Sequence, residues 1–164
     1  AQADDEPEAD EDEGDDGADG EDLDIVDNWV VWPGEHAKWV SFEEGSTQIT
    51  RDAVDTTAKT LVCNKPGADV EGGRARVLGR WKHEITDGVG RITVRYFEGD
   101  MPVKKDGKRL YTDLSIGRDS ADWKKVDQWI DIPEGTTNVR YCAELKGSTG
   151  TVWSDDLRIS EWEA

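Results

Sequence analysis

The strongest constraint on the fold is an alternating run near the C-terminus, from Asn138 to Lys146. One set of alternate positions holds Val139, Tyr141, Ala143 and Leu145, and the positions between them hold Arg140, Cys142 and Glu144. A period of two predicts a β-strand with one buried face. Turn signals at Pro133-Glu134-Gly135 and at Lys146 to Gly150 predict a further strand on each side, so this region is predicted as three successive strands.

The same pattern extends over most of the chain. Alternating runs occupy Arg74 to Ile85 and Arg91 to Glu98, and Thr86 to Gly90 between them is predicted to form a hairpin turn. We count about ten short strands separated by turn residues and find no convincing helix. This spacing predicts an all-β antiparallel sandwich or barrel, and 164 residues suffice for one domain with a sizeable core.

The acidic charge is confined to one end. The net charge is −18, but residues 1–27 hold 15 Asp and Glu and no Lys or Arg. Residues 28–164 hold 23 acidic and 20 basic residues, a net charge of −3. We therefore predict a β-sandwich domain over 28–164 that carries an acidic arm, 1–27, disordered or bound to a partner. A near-neutral domain argues against nucleic acid as partner, and no apolar run approaches the ~18 residues of a membrane span.

Two short motifs resemble a known family. The run Val152-Trp153-Ser154-Asp155-Asp156-Leu157-Arg158-Ile159, together with Phe42-Glu43-Glu44-Gly45 upstream, is similar to jelly-roll carbohydrate-binding modules over about Trp39–Ser160. The resemblance implies a jelly-roll-like sandwich and a structural calcium held by Glu43, Glu44, Asp155 and Asp156. The alternative is that Asp155 pairs with a nearby Arg and Asp156 is solvated, because a carboxylate in a strand needs a partner or a metal.

Outward aromatic side chains suggest a ligand surface, since sugar rings stack their C–H faces on aromatic rings beside polar groups. The alternation places Trp129 outward with Asp127 and Asp131, and Phe97 outward beside Arg95, with Tyr111 as a third aromatic candidate. A row of outward bases is also expected: Arg80, Lys82, Arg95 and Arg140. The alternative is that Trp129 is covered by a loop or by the N-terminal segment.

Catalytic motifs are missing from the sequence, which has no Gly-x-Ser-x-Gly, His-Glu-x-x-His or phosphate loop. We therefore expect no enzyme. The favoured function is an extracellular or cell-surface, non-catalytic module that binds glycan and holds structural calcium.

The alternative function is a self-assembling filament or matrix subunit, in which Leu23 to Val31 adds a strand to another copy of the chain and calcium bridges carboxylates. Cys63 and Cys142 either form a disulfide, which suits an oxidising compartment, or are two buried thiols.

Overall fold

The computed structural model describes residues 24–26, 29–43, 46–51, 59–65 and 67–164, with backbone only for 24–26 and for Ser148. A short 3-10 helix spans Gly34–Trp39. The strands are β1 Asp24–Val26, β2 Trp29–Trp32, β3 Val40–Glu43, β4 Ser46–Arg51, β5 Lys59–Asn64, β6 Ala68–Asp69, β7 Arg74–Glu98, β8 Met101–Pro102, β9 Lys104–Lys105, β10 Lys108–Arg109, β11 Tyr111–Gly117, β12 Ser120–Asp131 and β13 Asn138–Glu163.

Two long strands, β7 and β13, run through both layers of a β-sandwich. In the first layer, sheet I, the C-terminal half of β7 and the N-terminal half of β13 pair with each other, flanked by β11 on one side and by β5, β2 and β1 on the other. In the second layer, sheet II, the other halves pair with each other, flanked by β12 on one side and by β4 and β3 on the other. The predicted antiparallel β-sandwich is therefore confirmed.

The core lies between the two layers. Sheet I contributes Val94 and Val139, and sheet II contributes Val77 and Ile130, which pack in one buried cluster. A second cluster is built around Trp81, Ile92 and Leu145. These residues hold the alternate positions that the sequence assigned to the interior, so their neighbours in each strand lie on the outer faces.

The predicted turns at Thr86 to Gly90 and at Lys146 to Gly150 are wrong, because both segments lie inside continuous strands. The chain bends there instead, as it crosses from one sheet to the other. Gly88 and Gly147 have φ angles of 128° and 132°. A Cβ at Gly88 would collide with the carbonyl oxygen of Lys146, and one at Gly147 with that of Asp87. Glycine is needed where two backbones approach this closely.

Within the described ranges, no helix has the length and apolarity to cross a membrane.

Candidate functional site

The outer face of sheet I brings together charged, aromatic and hydroxyl side chains from four strands. Arg95 in β7 is paired in register with Tyr111 of β11 and with Arg140 of β13. Two residues away, Thr93 is paired with Asp113 and Cys142. The side chains that share this face are Lys59, Leu61, Cys63, Asp69, Arg91, Thr93, Arg95, Phe97, Tyr111, Asp113, Asn138, Arg140, Cys142, Glu144 and Lys146.

Charged groups on this face are buried. Arg95 is 5 % exposed and Glu144 is 4 % exposed. Their side chains approach to 3.4 Å, from Nη2 of Arg95 to Oε1 of Glu144. Arg91 lies 3.6 Å from Glu144 and 3.2 Å from Asp113. Burying a charge costs free energy unless it is paired, so this ion-pair network fixes the guanidinium groups in place.

The aromatic rings on this face support arginine side chains. The guanidinium carbon of Arg140 lies 4.0 Å from the ring centroid of Phe97, and that of Arg95 lies 5.3 Å from the ring centroid of Tyr111. Phe97 and Tyr111 do lie opposite the core, as predicted, but they are buried rather than open to solvent. A guanidinium lies over each of these two rings, so neither presents an open face for stacking, and their role in ligand binding stays a prediction.

Burial lowers the pKa of the Arg140 guanidinium, and the nearby carboxylate of Asp100, 3.3 Å away, partly offsets this effect. Arginine stays protonated in proteins because its pKa starts so high. Arg140 therefore remains a cation on this face.

A disulfide and an unpaired hydroxyl lie at the centre of the face. Cys63 and Cys142 form a disulfide with an S–S distance of 2.12 Å, joining β5 to β13. Next to Cys142, Thr93 is fully buried, and its Oγ1 has no hydrogen-bond partner in the part of the chain that the structure describes. Buried hydroxyls are normally satisfied, so this one is a candidate group for binding a ligand.

The face is positively charged although the protein is acidic. Among the described residues it carries the cations Lys59, Arg91, Arg95, Arg140 and Lys146 and the anions Asp69, Asp113 and Glu144. Asp100 adds one carboxylate from the edge of the face, beside Arg140. With Asp100 included, the described residues of this face and its edge give five cations against four anions, a surplus of one positive charge in a domain whose net charge is −3.

The other predicted ligand residues lie on the opposite side of the molecule. Trp129, Asp127 and Asp131 share the outer face of sheet II, where Trp129 is half-buried with the guanidinium carbon of Arg74 at 4.3 Å from its ring centroid. The six residues predicted to bind one ligand are thus divided between two outer faces. Period-two alternation separates inward from outward positions in a strand but does not say to which sheet the strand belongs.

Asp127 is paired on that face with Arg76, by two hydrogen bonds of 2.9 Å each. These bonds hold the pKa of the Asp127 carboxyl below its usual range. The predicted row of bases is divided in the same way, because Arg80 and Lys82 lie on sheet II while Arg95 and Arg140 lie on sheet I.

Two of the four carboxylates predicted to bind calcium, Asp155 and Asp156, already have cationic partners. Asp155 accepts a hydrogen bond of 2.6 Å from Ser46 and one of 2.7 Å from Arg80, and both lower the pKa of its carboxyl. Asp156 accepts one of 2.6 Å from Arg158. The Asp155–Arg80 contact corresponds to the alternative in which Asp155 pairs with a nearby Arg, whereas Asp156, expected there to be solvated, is paired with Arg158.

Glu43 lies in the same row of the sheet as Asp155, with Ser46 of β4 between them, and Glu44 lies outside the described residues. No group of three or more His, Cys, Asp or Glu side chains suited to a metal occurs in the described part of the chain. The donor set that is described does not fit a calcium ion without displacing arginine, and the calcium site stays a prediction.

A cavity of about 500 Å³ adjoins this Asp pair on sheet II, lined among others by Trp123, Arg80 and Lys125. Trp123 is 40 % exposed, and the guanidinium carbon of Arg80 lies 4.5 Å from its ring centroid. The charged side chains that line it are the cations Arg80, Lys124, Lys125 and Arg158 and the anions Asp155 and Asp156, which are paired with Arg80 and Arg158.

Sequence reasoning missed several residues of the sheet I face, above all Thr93 and Glu144. The signal was present, because Glu144 alternates with Arg140 on the polar side of β13. The pairing of that side with Thr93 and Arg95 of β7 depends on strand register, which the sequence pattern does not give.

Solved structures share this architecture. The N-terminal cellulose-binding domain of β-1,4-glucanase C from Cellulomonas fimi matches with a TM-score of 0.52 at 14 % identity, over 86 % of this chain and 92 % of that one. This chain and that domain share a β-sandwich fold. The resemblance in sequence thus led to the correct fold.

Two further solved structures match with lower TM-scores. CBM29-2, in a complex with mannohexaose, matches at 12 % identity with a TM-score of 0.49 over 82 % of each chain. A CBM4 structure matches at 20 % identity with a TM-score of 0.45, over 84 % of this chain and 90 % of that one.

A tailspike protein of bacteriophage CBA120 matches at 12 % identity with a TM-score of 0.49; the match covers 70 % of this chain but spans only 15 % of the tailspike chain. No protein-family model matches the sequence. No curated protein matches it either.

Proposed function

We propose that this chain is an extracellular, non-catalytic glycan-binding module, and that the outer face of sheet I is its binding surface. The observation that carries the proposal is the burial of Arg95, Arg140 and Glu144 on the outer side of a layer, beside Phe97 and Tyr111. Charged residues are rarely placed in such positions for stability, since buried ion pairs contribute little net stabilisation. Clusters of this kind are typical of binding sites.

The chemistry of the face suits a polyhydroxylated ligand. Guanidinium groups that rest on aromatic rings are held flat, so their N–H groups are oriented before a ligand arrives. Sugar hydroxyls accept hydrogen bonds from such groups and donate to carboxylates. Asp113 and Glu144 supply acceptors, and the hydroxyl of Thr93 can serve as donor or acceptor.

Two further observations support the proposal. The Cellulomonas fimi domain that shares the fold is a cellulose-binding domain. The Cys63–Cys142 disulfide favours an oxidising, extracellular location.

The test is affinity electrophoresis of the full chain through gels that contain a panel of neutral and charged polysaccharides. We expect at least one polysaccharide to retard the protein and Arg95→Ala to abolish the retardation. Trp123→Ala is the matched control on sheet II and should behave as wild type. Retardation by none of the polysaccharides, or its loss in the Trp123 variant alone, would refute the assignment of this face.

The filament alternative requires the β1 segment to pair with a neighbouring copy. In the structure β1 pairs antiparallel with β2 of its own chain, with Ile25 opposite Val30. The hypothesis predicts that a chain lacking residues 1–27 loses an oligomeric state that the full chain shows in calcium. Size-exclusion chromatography with light scattering measures that difference directly.

A further inference from the structure

The charge of the sheet I face indicates the class of glycan. We propose that its ligand is an anionic polysaccharide whose sugars carry carboxylate groups, a polyuronate. This inference rests on the function proposed above. A neutral glycan needs no surplus of positive charge, whereas this face keeps one in a domain of net charge −3.

The arginines of the face already bind carboxylates. Arg91 holds Asp113 at 3.2 Å, and Arg95 holds Glu144 at 3.4 Å. Guanidinium groups match carboxylates in shape as well as charge, and each such pair is strengthened where water is excluded. A uronate carboxylate is the same chemical group, so a polymer that presents these carboxylates at intervals would use contacts that the face is built to make.

The geometry also separates this ligand from a polyanion without sugars. Thr93 places a buried hydroxyl between Asp113 and Cys142, in the middle of the face. Phosphate or sulfate alone would use only the cations. A uronate also offers hydroxyl groups that can satisfy Thr93 Oγ1, which is without a partner among the residues described.

The experiment compares polygalacturonate with its fully methyl-esterified form, because esterification removes the charge and keeps the sugar backbone. With the full chain at low salt, we expect binding to polygalacturonate to be at least about tenfold tighter than to the ester, since a hydrogen bond to a charged group contributes enough for that factor. The preference should shrink as salt rises.

Two variants should change the affinity in opposite directions. Arg95→Gln removes a cation and should weaken binding to polygalacturonate, while Glu144→Gln removes an anion of nearly the same shape and should strengthen it. Arg76→Gln on sheet II is the control and should bind as wild type. A variant that is partly unfolded would bind more weakly, so a higher affinity in the Glu144 variant can only come from the change in charge. Melting curves check that each variant is folded.

Equal binding to polygalacturonate and its ester would overturn the charge preference and leave a glycan-binding function in place. If single-stranded DNA binds as tightly as polygalacturonate, the charge preference is also overturned, because the surface then binds any polyanion. An unchanged affinity in both the Arg95 and the Glu144 variants would show that the ligand binds elsewhere. If no polysaccharide is bound at all, the proposed function itself fails.

Discussion

Removing the disulfide should destabilise the fold strongly. Cys63 and Cys142 are separated by 79 positions, so the bond closes a long loop in the unfolded chain. The loop-closure relation gives a stabilisation of about 4.5 kcal/mol at 25 °C for a loop of this length. We therefore expect the double variant Cys63→Ala/Cys142→Ala to lose about 4 kcal/mol of unfolding free energy, which is a large part of the stability of an ordinary domain.

Urea unfolding followed by tryptophan fluorescence measures this loss. Wild type in reductant is the control, because it keeps both sulfur atoms on the outer face of sheet I and lacks only the bond. The reduced protein and the double variant should both have a larger m-value than the oxidised protein, since their unfolded chains expose more surface. A loss below about 1 kcal/mol in both would refute the reasoning, because the bond would then place little restriction on the unfolded chain.

The remaining predictions concern pH, calcium and the tryptophan face. Burial, with smaller effects from Arg51 and Lys38, lowers the pKa of His36 from 6.5 to about 4. As pH falls, the unfolded chain therefore binds the proton before the folded chain does, and unfolding free energy is lost between about pH 6.5 and about pH 4. The loss between pH 7 and pH 5 should be ~2 kcal/mol. In urea unfolding, His36→Gln should remove the share of this loss that His36 causes. The calcium hypothesis predicts that wild type melts at a higher temperature in calcium than in chelator, and that Asp155→Asn melts at the same temperature in both. Equal melting temperatures for wild type would contradict the hypothesis and leave Arg80 and Arg158 as the groups that neutralise Asp155 and Asp156. Trp129→Ala should keep both the fold and glycan binding, and a loss of binding in a folded Trp129 variant would move the site to sheet II.

Much of the fold follows from local patterns. The alternation in Asn138 to Lys146 correctly separates Val139, Ala143 and Leu145, which are buried in the core, from Arg140 and Glu144 on the other face. It works because a strand in a two-layer sandwich buries one side against the other layer. What fails is the interpretation of glycine-rich segments as turns, because glycine also permits a strand to bend and cross another closely.

The outer face of sheet I was harder to predict than the fold. Arg95, Phe97 and Tyr111 were correctly assigned to outer positions, but they were grouped with Trp129, which lies on the opposite layer. The grouping depends on which halves of the two long strands belong to which sheet. The stacking of arginine on these rings is equally hidden, because it depends on pairing Arg95 with Tyr111 across two strands.

The crossing of β7 and β13 at Gly88 and Gly147 has a mechanical consequence. Because both strands continue through the bend, the two layers are joined by covalent backbone as well as by side-chain packing. Sliding one layer past the other would break backbone hydrogen bonds in both sheets at once. The arrangement of strands behind the sheet I face is therefore set when the domain folds, so the binding proposed for that face would cost little entropy in ordering the protein.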